Sequence, residues 1–332
     1  MKRMLQLAFF LSLLSLLSVG SLQGQTDDAV VCPTFQRQAF NNFSTACAGT
    51  NSGEYCYGYS SVVAAENENV LIEDFSLGDK LAIDTIEAIT SQAYNREEDQ
   101  WGLSLLRLPD VNASEPNLRY ILFGGVQLSD TDEPDANFSP LQSFVFSTAQ
   151  ENTCVDTPST LFVQSDCAFD AREFRAEGIN FTIDGAAVIT GGGDTGFIQI
   201  EVIYGLLYIE PDVYTDGVAE PTDQAERLVV PVGYSVRAPL NFSEPITSED
   251  RVGEWSELTP ITREGFSNLD FLREIPQNFG YCPIIIPTIR QASGVGGVQQ
   301  QLRFSSVRPL QPVIPLCEGD AAPEFCTYLG LT

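Results

Sequence analysis

The residues with the greatest chemical potential in this sequence are its eight cysteines, and no histidine accompanies them. Cysteine and serine nucleophiles commonly use an imidazole base, and HExxH zinc sites need two histidines, so the composition excludes this chemistry. The cysteines also lack the paired C-x-x-C spacing of a thiolate zinc site. Their even number favours structural disulfides. The candidates are Cys32, Cys47, Cys56, Cys154, Cys167, Cys282, Cys317 and Cys326.

The cysteines form three groups along the chain, with three, two and three members. If all eight pair, at least one disulfide leaves each outer group and joins distant segments. Many pairings satisfy this condition, and the sequence does not select among them. Because short loops close most easily, we favour Cys47–Cys56 and Cys317–Cys326. The pairs Cys32–Cys154 and Cys167–Cys282 would then join distant segments.

Carboxylates could still support catalysis, because glycoside hydrolysis needs only two positioned acidic residues. The sequence contains 45 Asp and Glu residues, so no pair stands out. Asp194-Thr195-Gly196 copies the triplet of aspartic proteases, but that chemistry needs two such aspartates and there is no second copy. We interpret the triplet as a turn leading into Phe197.

One acidic loop is a candidate cation site. It carries four oxygen-bearing side chains, and hard cations such as Ca²⁺ prefer oxygen ligands. The loop lacks the glycine and the bidentate glutamate of an EF-hand, and a solvated loop is the favoured alternative. The candidate ligands are Asp130, Asp132, Asp135 and Asn137. Apart from this calcium hypothesis, we expect no cofactor.

Four aromatic residues are candidates for a platform on which a sugar ring could stack. They surround the third cysteine and the start of a later strand. The alternative is that they pack over a disulfide or fill the core. They are Tyr55, Tyr57, Tyr59 and Trp101.

The first 24 residues have the layout of a secretory signal peptide. Lys2 and Arg3 precede the apolar run 4–19, and small residues follow, with cleavage expected after Ser21 or Gly24. We therefore expect residues 1–24 to be a signal peptide and the protein to be secreted. No later apolar run is long enough to span a bilayer. The formal net charge of −28 makes nucleic acid an unsuitable partner.

The rest of the chain must position these groups, and its pattern predicts a mainly β protein. Apolar and polar residues alternate in many short segments, most strictly over Ile198–Val202, where one face is buried and one is wet. We expect two small β-sandwich or barrel-like domains, stapled by disulfides, over residues 25–150 and 151–255. Residues 256–332 should form a short C-terminal helix and an extended, cysteine-bearing tail. That helix should run over Thr259–Glu274, and another helix over Phe35–Phe43.

The N-terminal motifs resemble those of an uncharacterised family of secreted bacterial proteins. The motifs are Cys32-Pro33, Ala46-Cys47, Cys56-Tyr57-Gly58, Gly78-Asp79 and Trp101-Gly102. The resemblance covers about a third of the chain. It implies a secreted, cysteine-bearing β architecture and supplies no catalytic residues.

A second stretch, residues 179–240, resembles the β-domain of FecR-type sensor proteins. Tyr204-Gly205-Leu206 and the Val232–Val236 segment match its habit of strands separated by Gly-aromatic turns. The resemblance implies a FecR-like domain over residues 151–255 that binds or scaffolds.

Together these features lead to two functional hypotheses. The first is a secreted, non-catalytic extracellular binding or scaffold protein of the bacterial envelope or matrix, whose partner is an extracellular protein or glycan. The alternative is a carboxylate-dependent glycosidase or other polysaccharide-acting enzyme. A cleft holding two carboxylates about 5–10 Å apart would favour the enzyme.

Overall fold

The computed structural model describes a large part of the 332-residue chain. It covers residues 28–58, 60–64, 71–72, 75–95, 100–109, 116–131, 138–149, 159–165, 171–210, 227–245, 248, 251–262, 265, 269 and 271–272. The predicted signal peptide and almost all of the predicted tail lie outside these residues.

The described residues form one α-helix, two short 3₁₀ helices and sixteen strands. The helices are α1 (Asp28–Ala46) and the 3₁₀ turns Ile83–Thr85 and Gly193–Thr195. The strands of the first half are β1 (Glu54–Cys56), β2 (Ser60–Ala64), β3 (Leu71–Ile72), β4 (Lys80–Ala82), β5 (Ile86–Ser91), β6 (Leu103–Pro109), β7 (Pro116–Phe123), β8 (Val126–Asp130) and β9 (Ser143–Thr148). Those of the second half are β10 (Thr160–Ser165), β11 (Arg172–Ala176), β12 (Ile179–Gly191), β13 (Phe197–Ile209), β14 (Leu228–Pro231), β15 (Tyr234–Pro239) and β16 (Thr259–Pro260). The chain is mainly β, as its alternating pattern predicts.

All sixteen strands belong to one hydrogen-bonded sheet that divides into two layers at the long hairpin β12–β13. The first half of β12 pairs with β11 and its second half with β10. The first half of β13 pairs with β15 and its second half with β14. The open layer consists of β3-β2-β5-β8-β9-β11, the part of the hairpin that pairs with β11, and β14. The covered layer consists of β4-β1-β6-β7-β10, the part of the hairpin that pairs with β10, and β15 and β16.

Two glycines allow the hairpin to change layers. The pairing of β12 and β13 shifts register between Ala186 and Ala187, next to the facing residues Gly185 and Gly205. Both glycines have positive φ, and a Cβ on Gly185 would lie 2.1 Å from the Tyr204 carbonyl oxygen. Only glycine fits so close a backbone approach, so this pair marks where one sheet becomes two layers.

The main core lies between the two layers. Tyr120 of the covered layer makes edge-to-face contacts with Phe144 and Phe174 of the open layer, at centroid distances of 5.4 and 6.4 Å. Each layer contributes alternate residues of its strands to this core, since successive side chains of a strand point to opposite faces. The single sheet folds over this core as two layers, in the manner of a β-sandwich, and the layers stay joined through the hairpin.

A second apolar cluster lies on the outer face of the covered layer. Phe40 of α1 packs against Trp101 and Phe123, with ring centroids 5.4 and 5.6 Å away, and Phe271 contacts Phe123 from the C-terminal side. Strands β6, β7 and β10 are therefore buried on both faces. This double burial explains why Tyr120–Phe123 is a continuous apolar run and not an alternating one.

The hydrogen bonding does not follow the expected division at residue 150. Strand β7 pairs with β10 and β9 pairs with β11, so strands from both predicted domains alternate within each layer. Short-range patterns identify strands but carry no information on which distant strand each one joins. The prediction of two separate sandwich or barrel-like sheets therefore differs from the single branched sheet of the structure.

The helices also differ in extent from the prediction. The helix expected over Phe35–Phe43 is confirmed within the longer α1. The helix expected to begin at Thr259 was wrong at its start, because Thr259 and Pro260 form β16 beside β15 and Ile261 N donates to Gly233 O. Leu269 and Leu272 are buried under the covered layer, as their apolar spacing predicts.

Candidate functional site

The aromatic residues expected to form a sugar-stacking platform are divided between different environments. Tyr55 and Trp101 are buried, with at most 1% of each side chain exposed, and they belong to different apolar clusters. Tyr57 stacks on Phe75 at a centroid distance of 5.1 Å. Tyr59 lies outside the described residues. The platform prediction is therefore wrong for Tyr55 and Trp101, because the core encloses both rings. For the partly buried Tyr57 and for Tyr59 it stays a prediction.

The disulfide prediction is confirmed for one pair. Cys47 and Cys56 are bonded, with a Cα–Cα distance of 5.8 Å, and join the end of α1 to β1. Cys32 lies in α1, but its side chain is not described, and the other five cysteines lie outside the described residues. The pairings Cys32–Cys154, Cys167–Cys282 and Cys317–Cys326 stay predictions.

The loop closed by this disulfide is held by three charged side chains. Lys80 Nζ donates to Gly49 O at 2.8 Å, and Arg107 donates to Thr50 O. Burial opposes ionisation of Glu54, but hydrogen bonds from Asn51 and the charges of Lys80 and Arg107 outweigh it and lower its pKa. These groups stabilise the loop, and Lys80 therefore has a structural role.

Of the four candidate calcium ligands, the structure describes only Asp130. Asp130 ends β8, and its Oδ1 accepts a hydrogen bond from Leu141 N at 3.0 Å. Asp132, Asp135 and Asn137 lie outside the described residues, so the calcium hypothesis stays a prediction. Within the ranges that the structure describes, no group of three or more Cys, Asp or Glu side chains could hold a metal ion.

A buried ion pair, which the sequence pattern did not reveal, connects the hairpin β11–β12 to the segment after β15. Glu177 occupies a two-residue turn at positive φ and is 1% exposed. Its Oε2 accepts from Arg251 Nη2 at 2.6 Å, and its Oε1 accepts from Phe146 N at 2.9 Å. Arg251 also donates to the backbone of Glu244. Both charges are thus paired, as burial requires, and the contact fixes the chain after β15.

The Asp194-Thr195-Gly196 triplet is a turn, as expected. It lies between β12 and β13, where the Thr195 hydroxyl donates to Gly192 O at 2.7 Å. Three glycines of this turn have positive φ, and a Cβ on Gly192 would lie 1.9 Å from Phe146 O. Gly192 and Gly193 therefore allow the turn to pack closely against β9.

A polar surface lies on the outer face of the covered layer, across β12, β13 and β15. The register sets Gln199 directly between Thr190 and Arg237, and Glu201 directly beside Ser235. Their neighbours Ile198, Ile200 and Val236 are buried in the main core, so these five side chains point outward. We call Thr190, Gln199, Glu201, Ser235 and Arg237 the polar patch.

Contacts within the polar patch restrain its side chains. Gln199 Nε2 donates to Glu201 Oε1 at 3.3 Å, and Ser235 Oγ donates to Thr259 O at 3.2 Å. The Arg237 guanidinium carbon lies 3.7 Å above the centre of the Phe197 ring. Burial raises the pKa of Glu201, and the Gln199 hydrogen bond offsets only part of this rise. The strict alternation over Ile198–Val202 predicted one wet face on this strand, but not its polar neighbours on other strands.

Comparisons with known proteins provide little further guidance. No family model matches the chain, and no curated protein matches it. Two solved structures of a putative anti-sigma factor from Parabacteroides distasonis align with 52% of this chain and 59% of theirs. Their identities are 8% and 9% and their TM-scores 0.30 and 0.29. In the described part of the chain, no helix has both the length and the apolarity to cross a membrane.

Proposed function

We propose that this protein is a secreted, non-catalytic binding or scaffold protein of the bacterial envelope or matrix. The observation that carries the proposal is the use of its buried and anchored charges. Glu177 and Arg251 neutralise each other inside the fold, and Lys80 and Arg107 hold the disulfide loop. These charged groups therefore stabilise the fold and are not free for catalysis. The chain also lacks histidine, the most common general acid and base.

The secretory part of the proposal rests on the leader-like residues 1–24 and on the Cys47–Cys56 disulfide. Expression of the full chain in a Gram-negative host should deliver it outside the cytoplasm, with a new N-terminus after Ser21 or Gly24. N-terminal sequencing of the exported protein measures this. A full-length chain that stays in the cytosol with reduced cysteines would contradict the proposed location.

The binding part is tested with the purified protein on a polysaccharide and protein array, with release of reducing sugars measured in parallel. We expect retention of a partner without products. Sugar release that disappears when a single acidic residue is replaced would contradict a non-catalytic role.

The rival hypothesis is a carboxylate-dependent polysaccharide-acting enzyme, and one observation favours it. Glu201 has a raised pKa, which is the property of a general acid in glycoside hydrolysis. That mechanism needs a second carboxylate at a defined distance. If the rival hypothesis holds, the unaltered protein should release sugars and Glu201→Gln should not. If the protein only binds, neither form should release sugars.

A further inference from the structure

The side chains of the polar patch have the chemistry that hydroxyl-rich ligands require. They include a planar amide, a planar carboxyl and a planar guanidinium, together with two hydroxyls. The amide offers donors and an acceptor, the guanidinium offers donors only, and the hydroxyls offer both. Directly opposed residues of paired strands have Cβ atoms about 5 Å apart, so the five groups on three adjacent strands lie within an area about 10 Å across, enough for one or two sugar rings.

The patch is also held in place before any ligand arrives. It is built on three adjacent strands, and β12 and β13 are each 13 residues long. Stacking on Phe197 fixes the plane of the Arg237 guanidinium and leaves the N–H groups at its edge available. A hydrogen bond fixes Gln199 against Glu201. Binding therefore costs less side-chain entropy than it would on a mobile surface.

The electrostatic character of the chain selects among hydroxyl-rich ligands. With a formal net charge of −28, the protein repels polyanions over the distances at which encounter occurs. One exposed arginine within the patch does not reverse that field. Burial raises the pKa of Glu201, because a partly desolvated carboxylate is unfavourable there. An uncharged ligand suits these conditions.

We propose that the polar patch is a binding site for a neutral polysaccharide, recognised through its hydroxyl groups. This inference rests on the proposed function, because it names the ligand class of an extracellular binding protein. Gln199 and Arg237 supply most of the recognition, and Thr190, Ser235 and Glu201 complete it. The outer face of the open layer, which lies on the opposite side of the sandwich, takes no part.

The test measures binding of the full secreted chain to three soluble probes by affinity gel electrophoresis and calorimetry. The probes are laminarin and galactomannan, which are neutral, and polygalacturonate, which is anionic. We expect at least one neutral probe to bind and polygalacturonate not to bind. Gln199→Ala and Arg237→Ala should each raise the dissociation constant about ten-fold or more.

Matched control variants lie on the other layer. Gln127→Ala replaces an exposed glutamine of β8, and Arg227→Ala replaces an exposed arginine before β14. Both should bind as the unaltered protein does. Thermal denaturation checks that each variant folds, and Ser235→Ala replaces any patch variant that does not.

The possible outcomes separate this inference from the proposed function. Binding that survives every patch variant, binding to polygalacturonate alone, or no binding to either neutral probe overturns the inference. A protein partner found on the array in these cases leaves the proposed function standing. Release of sugars that is lost in Glu201→Gln overturns the proposed non-catalytic function instead.

Discussion

The two layers of this sandwich share one core but differ on their outer faces. The covered layer is apolar over much of its outer face as well, where Phe40 of α1 and the side chains of Leu269, Phe271 and Leu272 pack on it. The open layer has polar or partly exposed residues at the corresponding positions, such as Thr90, Gln127 and Thr182. The difference shows how burial sets the residue pattern of a strand. A strand that is buried on both faces needs apolar residues on both sides, whereas a strand with one solvent-exposed face needs them on one side only.

The polar patch lies at the border of the apolar cluster on the covered layer. It lies on the outer face of the covered layer, on the strands next to those under α1. There Val188 belongs to the apolar cluster while Glu201, directly opposite it on β13, is partly exposed. An apolar border beside polar groups reduces the water around the carboxyl, and this is the physical cause of the raised pKa of Glu201.

The largest effect should come from removing an aromatic ring under the helix. Phe123 is fully buried and contacts the rings of Phe40, Trp101 and Phe271. Phe123→Ala should lower the free energy of unfolding by about 4 kcal/mol, since truncation leaves a cavity. Urea denaturation measures this. The control Thr90→Ala, on the outer face of the open layer, should change it by less than about 0.5 kcal/mol. Similar small values for both would contradict the asymmetry between the two layers.

The second effect concerns the buried ion pair that ties the segment after β15 to the open layer. Glu177→Gln should cost about 3 kcal/mol of unfolding free energy, because it leaves the Arg251 charge buried without its counter-ion. Its control is Glu210→Gln, which breaks the exposed pair with Arg227, whose nitrogen lies 2.9 Å from the Glu210 oxygen. That change should cost less than about 1 kcal/mol. Equal losses in the two variants would show that burial of the pair is irrelevant.

The third effect concerns the disulfide that joins α1 to the covered layer. Cys47 and Cys56 are nine residues apart, and closing so short a loop restrains the unfolded chain. Replacing both by alanine should lower the unfolding free energy by about 2–3 kcal/mol. Because both cysteines are at most 1% exposed, native protein should also resist reduction by mild dithiothreitol. Rapid reduction without denaturant, followed by alkylation and mass analysis, would contradict the described burial.

The smallest effect is a pH dependence at the polar patch. Because burial raises the pKa of Glu201, the folded protein holds that proton more tightly than the unfolded chain does. Ionisation therefore destabilises the fold as the pH rises from about 4 through the folded pKa. Relative to Glu201→Gln, the unaltered protein should have a lower melting temperature at pH 7 and an equal one at pH 3. Calorimetry at both values measures the gap, and a gap of opposite sign would be inconsistent with burial as its cause.

The sequence by itself determined the β class and most strand positions, and its short loop favoured the Cys47–Cys56 bridge. These depend on local properties: the period-2 alternation over Ile198–Val202, the apolar run Tyr120–Phe123 and the short loop between two cysteines. The helix within Phe35–Phe43 was also accessible in this way. Local backbone preference and side-chain alternation act within a few residues, so they can be detected without the fold.

Tertiary structure alone decided which strands meet, and therefore which side chains share a surface. Tyr55 and Trp101 are of the residue types that bind sugars, but Tyr55 is buried in the main core and Trp101 in the apolar cluster on the outer face of the covered layer. Glu177 and Arg251 are 74 residues apart and become an ion pair only because the chain after β15 returns to the β11–β12 turn. Gln199 and Arg237 become neighbours only through the register of β13 and β15. Pairing between distant strands follows from burial of the whole core, and no local stretch of sequence encodes it.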